Sequence, residues 1–140
     1  MKTYKLFNNI FGWVVFIIAA AVYLMTIEPT ASFWDCGEFI VTGYKLEVGH
    51  PPGNPIFMMV ANLFTQLTSD VSQKAAMVNS MSAICSALTI LFLFWTITRL
   101  AKKILVKKSE EISNSISLTQ IISILGCGAV GALAYTFSDT

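Results

Sequence analysis

Three long runs without a charged residue divide the chain: 6–27, 75–98 and 115–138. Each exceeds the roughly 20 residues that a helix needs to cross a bilayer. Helix is the one open-ended structure that satisfies its own backbone in lipid. The pattern therefore predicts three transmembrane helices and an all-α fold. The first run keeps Asn8 and Asn9 near its start, the second contains the very apolar stretch 88–97, and Gln120 is the most polar member of the third. A fourth apolar stretch, 56–67, is too short to span. It predicts a helix lying at the membrane interface or dipping into a protein-lined cavity. Pairs of small residues four apart, Ser82 with Ser86 and Gly128 with Ala132, predict close helix packing.

Composition supports this division. Hydrophobic residues make up 55% of the 140 and charged residues 12%, against roughly 25% charged in soluble domains. With a mean hydropathy of +0.68, the chain is neither a disordered protein nor a nucleic-acid-binding module, and most soluble enzymes are excluded. The net charge of +1 says less than where the charges fall. Lys2 and Lys5 precede the first run, and Arg99, Lys102, Lys103, Lys107 and Lys108 follow the second. Segment 28–74 carries only Lys45 and Lys74 against Glu28, Asp35, Glu38, Glu47 and Asp70. By the positive-inside rule, the N-terminus and a basic loop at 99–114 face the cytoplasm, and 28–74 is an extracytoplasmic loop. Spanning by 56–67 would invert that charge pattern. The apolar residues continue beyond Ala19-Ala20-Ala21, so the first run reads as an uncleaved anchor rather than a signal peptide. Cys36, Cys85 and Cys127 are widely spaced and form neither a disulfide framework nor a metal-binding spacing.

The chemistry concentrates in 28–74, which holds all four prolines and the sole histidine. Asp35 and Glu38 are three apart, so on a helix they share a face. Such a pair can act as a general base, ligate a metal or position a polar acceptor. Packing against Trp34 and Phe39 would raise a carboxyl pKa by desolvation. Equally, Asp35 can be an N-cap with Glu38 at the third helical position, the reciprocal capping box. Downstream, Gly49-His50-Pro51-Pro52-Gly53-Asn54-Pro55 cannot lie inside a helix. Its prolines predict a rigid turn, with Asn54 extended before Pro55. That turn holds His50 where it can donate to a phosphate oxygen or carry a proton.

These residues resemble the start of the C-type (GT-C) membrane glycosyltransferases, and among them the protein O-mannosyltransferases. Those have an acidic motif soon after the first membrane helix and a His-Pro-Pro turn in the first large extracytoplasmic loop. The pattern Pro29-Thr30, Trp34-Asp35, Gly37-Glu38-Phe39, Tyr44-Lys45-Leu46 and Gly49-His50-Pro51-Pro52-Gly53 is similar to a family of large bacterial membrane proteins. That family is described as a domain of unknown function, and its animal relatives are protein O-mannosyltransferases. The terminal Tyr135-Thr136-Phe137-Ser138-Asp139-Thr140 resembles it too. Two departures stand out: the acids are separated by two residues where the mannosyltransferases have them adjacent, and Gly53 follows the prolines directly.

The resemblance implies that the chain is the N-terminal portion of a larger GT-C-like bundle in a bacterial inner membrane. It further implies transfer of a mannose-like sugar from a polyprenyl-phosphate carrier to a hydroxyl, a Ser or Thr of an acceptor protein, on the extracytoplasmic face. Asp35 and Glu38 are the expected catalytic acids, with Asp35 the base. His50, Trp34, Lys45 and Asn54 are the expected substrate-binding residues. Sugar donor, acceptor protein and membrane lipid are the expected partners, and nucleic acid is not. No metal ligand set or cofactor is expected, with a divalent metal left open. The isolated 140 residues would lack the later arginines that hold phosphate in related enzymes. The alternative reading is a non-catalytic scaffold or transport subunit, with Asp35 serving only as a cap.

Overall fold

A computed structural model describes residues 2–51, 54–107 and 116–138, without the side chains of Lys2, Val106 and Lys107. The described residues form α1 (Lys2–Thr26), α2 (Cys36–Lys45), α3 (Pro55–Thr65), a 3-10 turn (Val71–Gln73), α4 (Lys74–Lys107) and α5 (Leu118–Thr136). No strand occurs among them. Among the described residues three helical stretches are long and apolar enough to cross a membrane: Thr3–Thr26, Val71–Leu105, which joins the 3-10 turn to most of α4, and Leu118–Thr136. The all-α expectation is met.

The helix ends differ from the sequence expectation, each for a local reason. Arg99 to Lys107 is expected to be loop, yet it continues α4. Its Arg, Lys, Leu and Ala are good helix formers with no Gly or Pro among them, and a helix leaving the bilayer can carry charge. The rest of that loop, from Lys108 to Ser115, lies outside the described residues. The third span begins at Leu118 rather than 115. There Ser117 accepts a bond from the Gln120 amide, and the Gln120 side chain accepts from the Ser117 amide. This reciprocal capping box sets the helix start. The short apolar helix ends at Thr65, two residues before its expected limit of 67. Eleven residues rise only about 16 Å, roughly half of the ~30 Å hydrocarbon core.

The chain divides into two compact units, one of Met1–Val22 with Ser86–Thr140 and one of Tyr23–Cys85. In the first unit, the N-terminal part of α1 runs antiparallel to the C-terminal part of α4. The Lys102 ammonium lies 4.8 Å from the Tyr4 ring centre, and a β-carbon added at Gly12 would lie 2.5 Å from Trp95 Nε1 and 3.2 Å from Leu91. Only glycine allows so close an approach. Ile90, Leu91, Phe94 and Thr98 of α4 are buried with Ile124, Leu125, Ala132 and Thr136 of α5. A β-carbon at Gly128 would collide with Thr98 and Phe94, so Gly128 and Ala132 do mark a packing face. Ser82 and Ser86 are both exposed and do not. On this helix the buried small residues are Ala83 and Ala87.

In the second unit α2 packs on α3 and on the start of α4. Ile40, Ala61, Val78 and Met81 form its core, flanked by Phe57, Val60 and Phe64. The α2–α3 crossing is tight: a β-carbon on Gly43 would lie 2.9 Å from that of Ala61. The Asn62 amide donates to the Gly43 and Tyr44 carbonyls at 3.2 and 2.8 Å, satisfying groups that a helix end leaves open. Leu46 then turns the chain with φ 55°, and the Glu47 amide closes on the Thr42 carbonyl at 2.9 Å. Lys74 fixes the other end of the unit by donating to the Thr65 and Thr68 carbonyls at 2.6 and 2.5 Å. Together these contacts fix the C-terminal ends of α2 and α3.

Candidate functional site

The acidic motif opens α2. Asp35 occupies the N-cap position, but its side chain makes no capping bond, so the reciprocal capping box with Glu38 does not form. The reason is that Glu38 is engaged elsewhere. Its Oε1 accepts the His50 backbone N–H at 2.7 Å and its Oε2 lies 2.9 Å from His50 Nδ1. A carboxylate thus grips one residue by main chain and ring together, twelve positions downstream. The close approach depends on Gly49, where a β-carbon would lie 3.3 Å from Glu38 Oε1. Phe39 sets its ring against His50 at 6.1 Å and against Phe57 of α3 at 5.6 Å, tying the turn to the core.

Electrostatics follow from that geometry. The His50 backbone N–H, and then its ring, hold the Glu38 carboxyl below the usual carboxylate range. The Glu38 hydrogen bond and charge, with a smaller contribution from Asp35, push the His50 imidazole up. For Glu38 this is opposite to the rise expected from desolvation. Trp34 does not shield the carboxylates, because its side chain is 94% exposed. It adopts φ 67°, which is a strained value for a bulky residue. Asp35 Oδ2 stands 4.0 Å from His50 Nε2, with both side chains about half exposed. That separation is too long for a direct hydrogen bond, so the two groups face one another without bonding.

Of the expected site residues, Asp35, Glu38 and His50 are brought together. Asn54 is the N-cap of α3 without a side-chain cap bond, and it lines an adjoining cleft of about 430 Å³. Phe39, Ile40, Phe57 and Val78 form the apolar walls of the cleft, and Cys36, Asn79 and Ser82 complete it. Lys45 is in the last turn of α2, about 13 Å along the helix axis from Cys36, and does not join the cluster. Pro52 and Gly53 lie outside the described residues. Asn79, absent from the expected site, donates to the Glu28 and Thr30 carbonyls at 2.7 and 3.0 Å. It anchors the segment leading to Trp34, and its signal was the one side-chain amide of the uncharged run 75–98. Among the described residues no three His, Cys, Asp or Glu side chains are arranged to hold a metal ion.

The family described as Protein O-mannosyl-transferase TMEM260 N-terminal domain matches residues 35–140. Over 84 residues the chain is 31% identical to Protein O-mannosyl-transferase tmem260 of Dictyostelium discoideum, an alignment covering 59% of this chain and 10% of the relative. Over 87 residues it is 34% identical to Protein O-mannosyl-transferase TMEM260 of Mus musculus, covering 62% of this chain and 12% of the relative. The matched region thus spans about a tenth of these curated relatives. No solved structure matches the chain.

Proposed function

The chain belongs to the protein O-mannosyl-transferase TMEM260 N-terminal domain family, and from that premise we propose that it carries the acceptor-activating part of a GT-C-type membrane mannosyltransferase. The donor is a polyprenyl-phosphate mannose, and the acceptor is a Ser or Thr hydroxyl of a protein. Transfer takes place on the extracytoplasmic face of the bacterial inner membrane. The observation that carries this reading is Asp35 at the start of α2, free of any capping bond and 4.0 Å from the one histidine. Asp35 takes the acceptor proton as the hydroxyl oxygen attacks the anomeric carbon, in a single displacement with inversion. The phosphate departs with the bonding electrons, and charge stabilisation matters more there than protonation. Trp34 offers an exposed aromatic face to sugar or acceptor. Asn54 and the apolar cleft beside Asp35 receive the non-reacting part of a substrate.

The test is Asp35→Asn in the full-length protein, assayed by transfer of labelled mannose from polyprenyl-phosphate mannose in membranes that hold it. Loss of a general base costs about 10²–10⁴-fold in rate. Because Asp35 makes no capping bond, asparagine should leave folding and insertion intact, and a lost rate reads on chemistry alone. Near-normal transfer by Asp35→Asn would refute Asp35 as the base.

A further inference from the structure

We propose that Glu38 is a positioning residue rather than a second catalytic acid: it orients His50 so that Nε2–H reaches the donor phosphate on the face shared with Asp35. This inference rests on the mannosyltransferase reading above and assigns a role within that same site. Both Glu38 oxygens are already committed to His50, one to the backbone N–H at 2.7 Å and one to Nδ1 at 2.9 Å. Each oxygen already shares its charge with His50, and that pairing makes Glu38 a weaker base toward a substrate proton. What the pairing achieves is orientation. With Nδ1 bound by Glu38, the ring has one free nitrogen, Nε2, and it points to the side where Asp35 stands. The arrangement follows the general rule that the bond at one ring nitrogen decides what the other can do.

The reaction needs such a donor. Asp35 carries one negative charge, and the departing phosphate gains another beside it. As the acceptor oxygen bonds to the anomeric carbon, its proton passes to Asp35. The carbon–oxygen bond to phosphate breaks, and the electron pair goes to the phosphate oxygen. His50 keeps its proton throughout and donates a charge-assisted hydrogen bond to that oxygen. Protonation of His50 is favoured by Glu38 and Asp35, the two ionisable groups that face it among the described residues. α3, whose Phe57 meets the Phe39 ring beside His50, has no ionisable side chain.

The experiment is the pH–rate profile of mannosyl transfer by the wild-type protein, Glu38→Gln and Glu38→Asp in membranes. The wild-type rate should fall on the alkaline side with a midpoint above the ordinary histidine value of 6.5. In Glu38→Gln that midpoint should move down, and the rate near neutral pH should drop about 10–100-fold, by analogy with the loss of a carboxylate that orients a metal-bound histidine. Glu38→Asp should recover part of both. A Glu38→Gln rate reduced equally at every pH, or not reduced, overturns the proposal. A second measurement separates this outcome from failure of the mannosyltransferase reading. His50 is the only histidine of the 140 residues, so its ring resonances can be titrated in the chain in lipid nanodiscs without any substrate. They should show Nδ1 protonated and a midpoint that falls in Glu38→Gln. An unchanged midpoint refutes the orienting role even if transfer is observed. A full-length wild-type protein that transfers no mannose, while the chain passes this titration, refutes the functional reading and keeps the orienting role.

Discussion

Glu38 binds His50 through two charges that respond to pH in opposite directions. The folded pKa of Glu38 is depressed below its ordinary 4.5. Its contribution is therefore complete above that value and lost as pH falls through the lowered one. The folded pKa of His50 is raised above its ordinary 6.5. Its contribution is complete below 6.5 and lost as pH rises through the raised value. The full ion pair therefore exists between about the carboxylate and imidazole ranges. The expected outcome is visible at the His50 backbone amide, whose proton resonance a carboxylate acceptor moves downfield. On acidification it should stay constant until below pH 4.5 and then move upfield, and in Glu38→Gln it should lack that step. The residue types were legible in the sequence: two acids, one histidine and a rigid proline turn. Their pairing was not. Asp35 and Glu38 at capping-box spacing pointed to a local reciprocal bond, but a partner twelve residues away at Gly49-His50 outcompeted it. Local spacing cannot register such a partner.

At the level of elements, the apolar runs located α1, α3, α4 and α5 but not α2, and the helix ends followed from caps and breakers that hydropathy does not weigh. Ser117 with Gln120 shortens the third span, and the breaker-free stretch from Arg99 lengthens the second. The contact between α2 and α3 was not legible at all, because it depends on Gly43 meeting Ala61 across two separate segments. It makes a sharp comparison within one helix. At Gly43 a β-carbon would lie 2.9 Å from the Ala61 β-carbon, which is fixed to backbone and cannot rotate away. Gly43→Ala should therefore destabilise the protein by about 1–3 kcal/mol, the usual cost of overpacking. At Gly37 the nearest atom to an added β-carbon is 3.9 Å away, an ordinary contact. Gly37→Ala should be neutral or stabilise by about 0.5–1 kcal/mol, as expected for replacing a helical glycine. Thermal unfolding in detergent checks both. Equal effects at the two positions would mean that the crossing is looser than the distances state.

For the whole molecule, the membrane arrangement follows from charge and length together. α4 has 34 residues and rises about 51 Å, well beyond the ~30 Å hydrocarbon core. Its surplus falls at the end where Arg99, Lys102, Lys103 and Lys107 stand, and the positive-inside rule leads us to expect that end on the cytoplasmic side. Near the opposite end, Asp70 caps the 3-10 turn that leads into α4 by accepting the Ser72 amide at 2.9 Å. The intervening apolar stretch admits one crossing. α3, at 11 residues, admits none, so α2, α3 and the Asp35–His50 cluster should share a compartment with Asp70. The expected outcome is asymmetric labelling: in intact cells a membrane-impermeant thiol reagent should modify a cysteine placed at Asp70 and miss one placed at Lys107 until the membrane is opened. The native Cys36, Cys85 and Cys127 are replaced beforehand to remove background. Labelling at Lys107 but not Asp70 would put the candidate site in the cytoplasm, away from an acceptor protein on the far side. Labelling at both would mean that α4 does not cross, and the crossing assigned to the second apolar run of the sequence would be wrong.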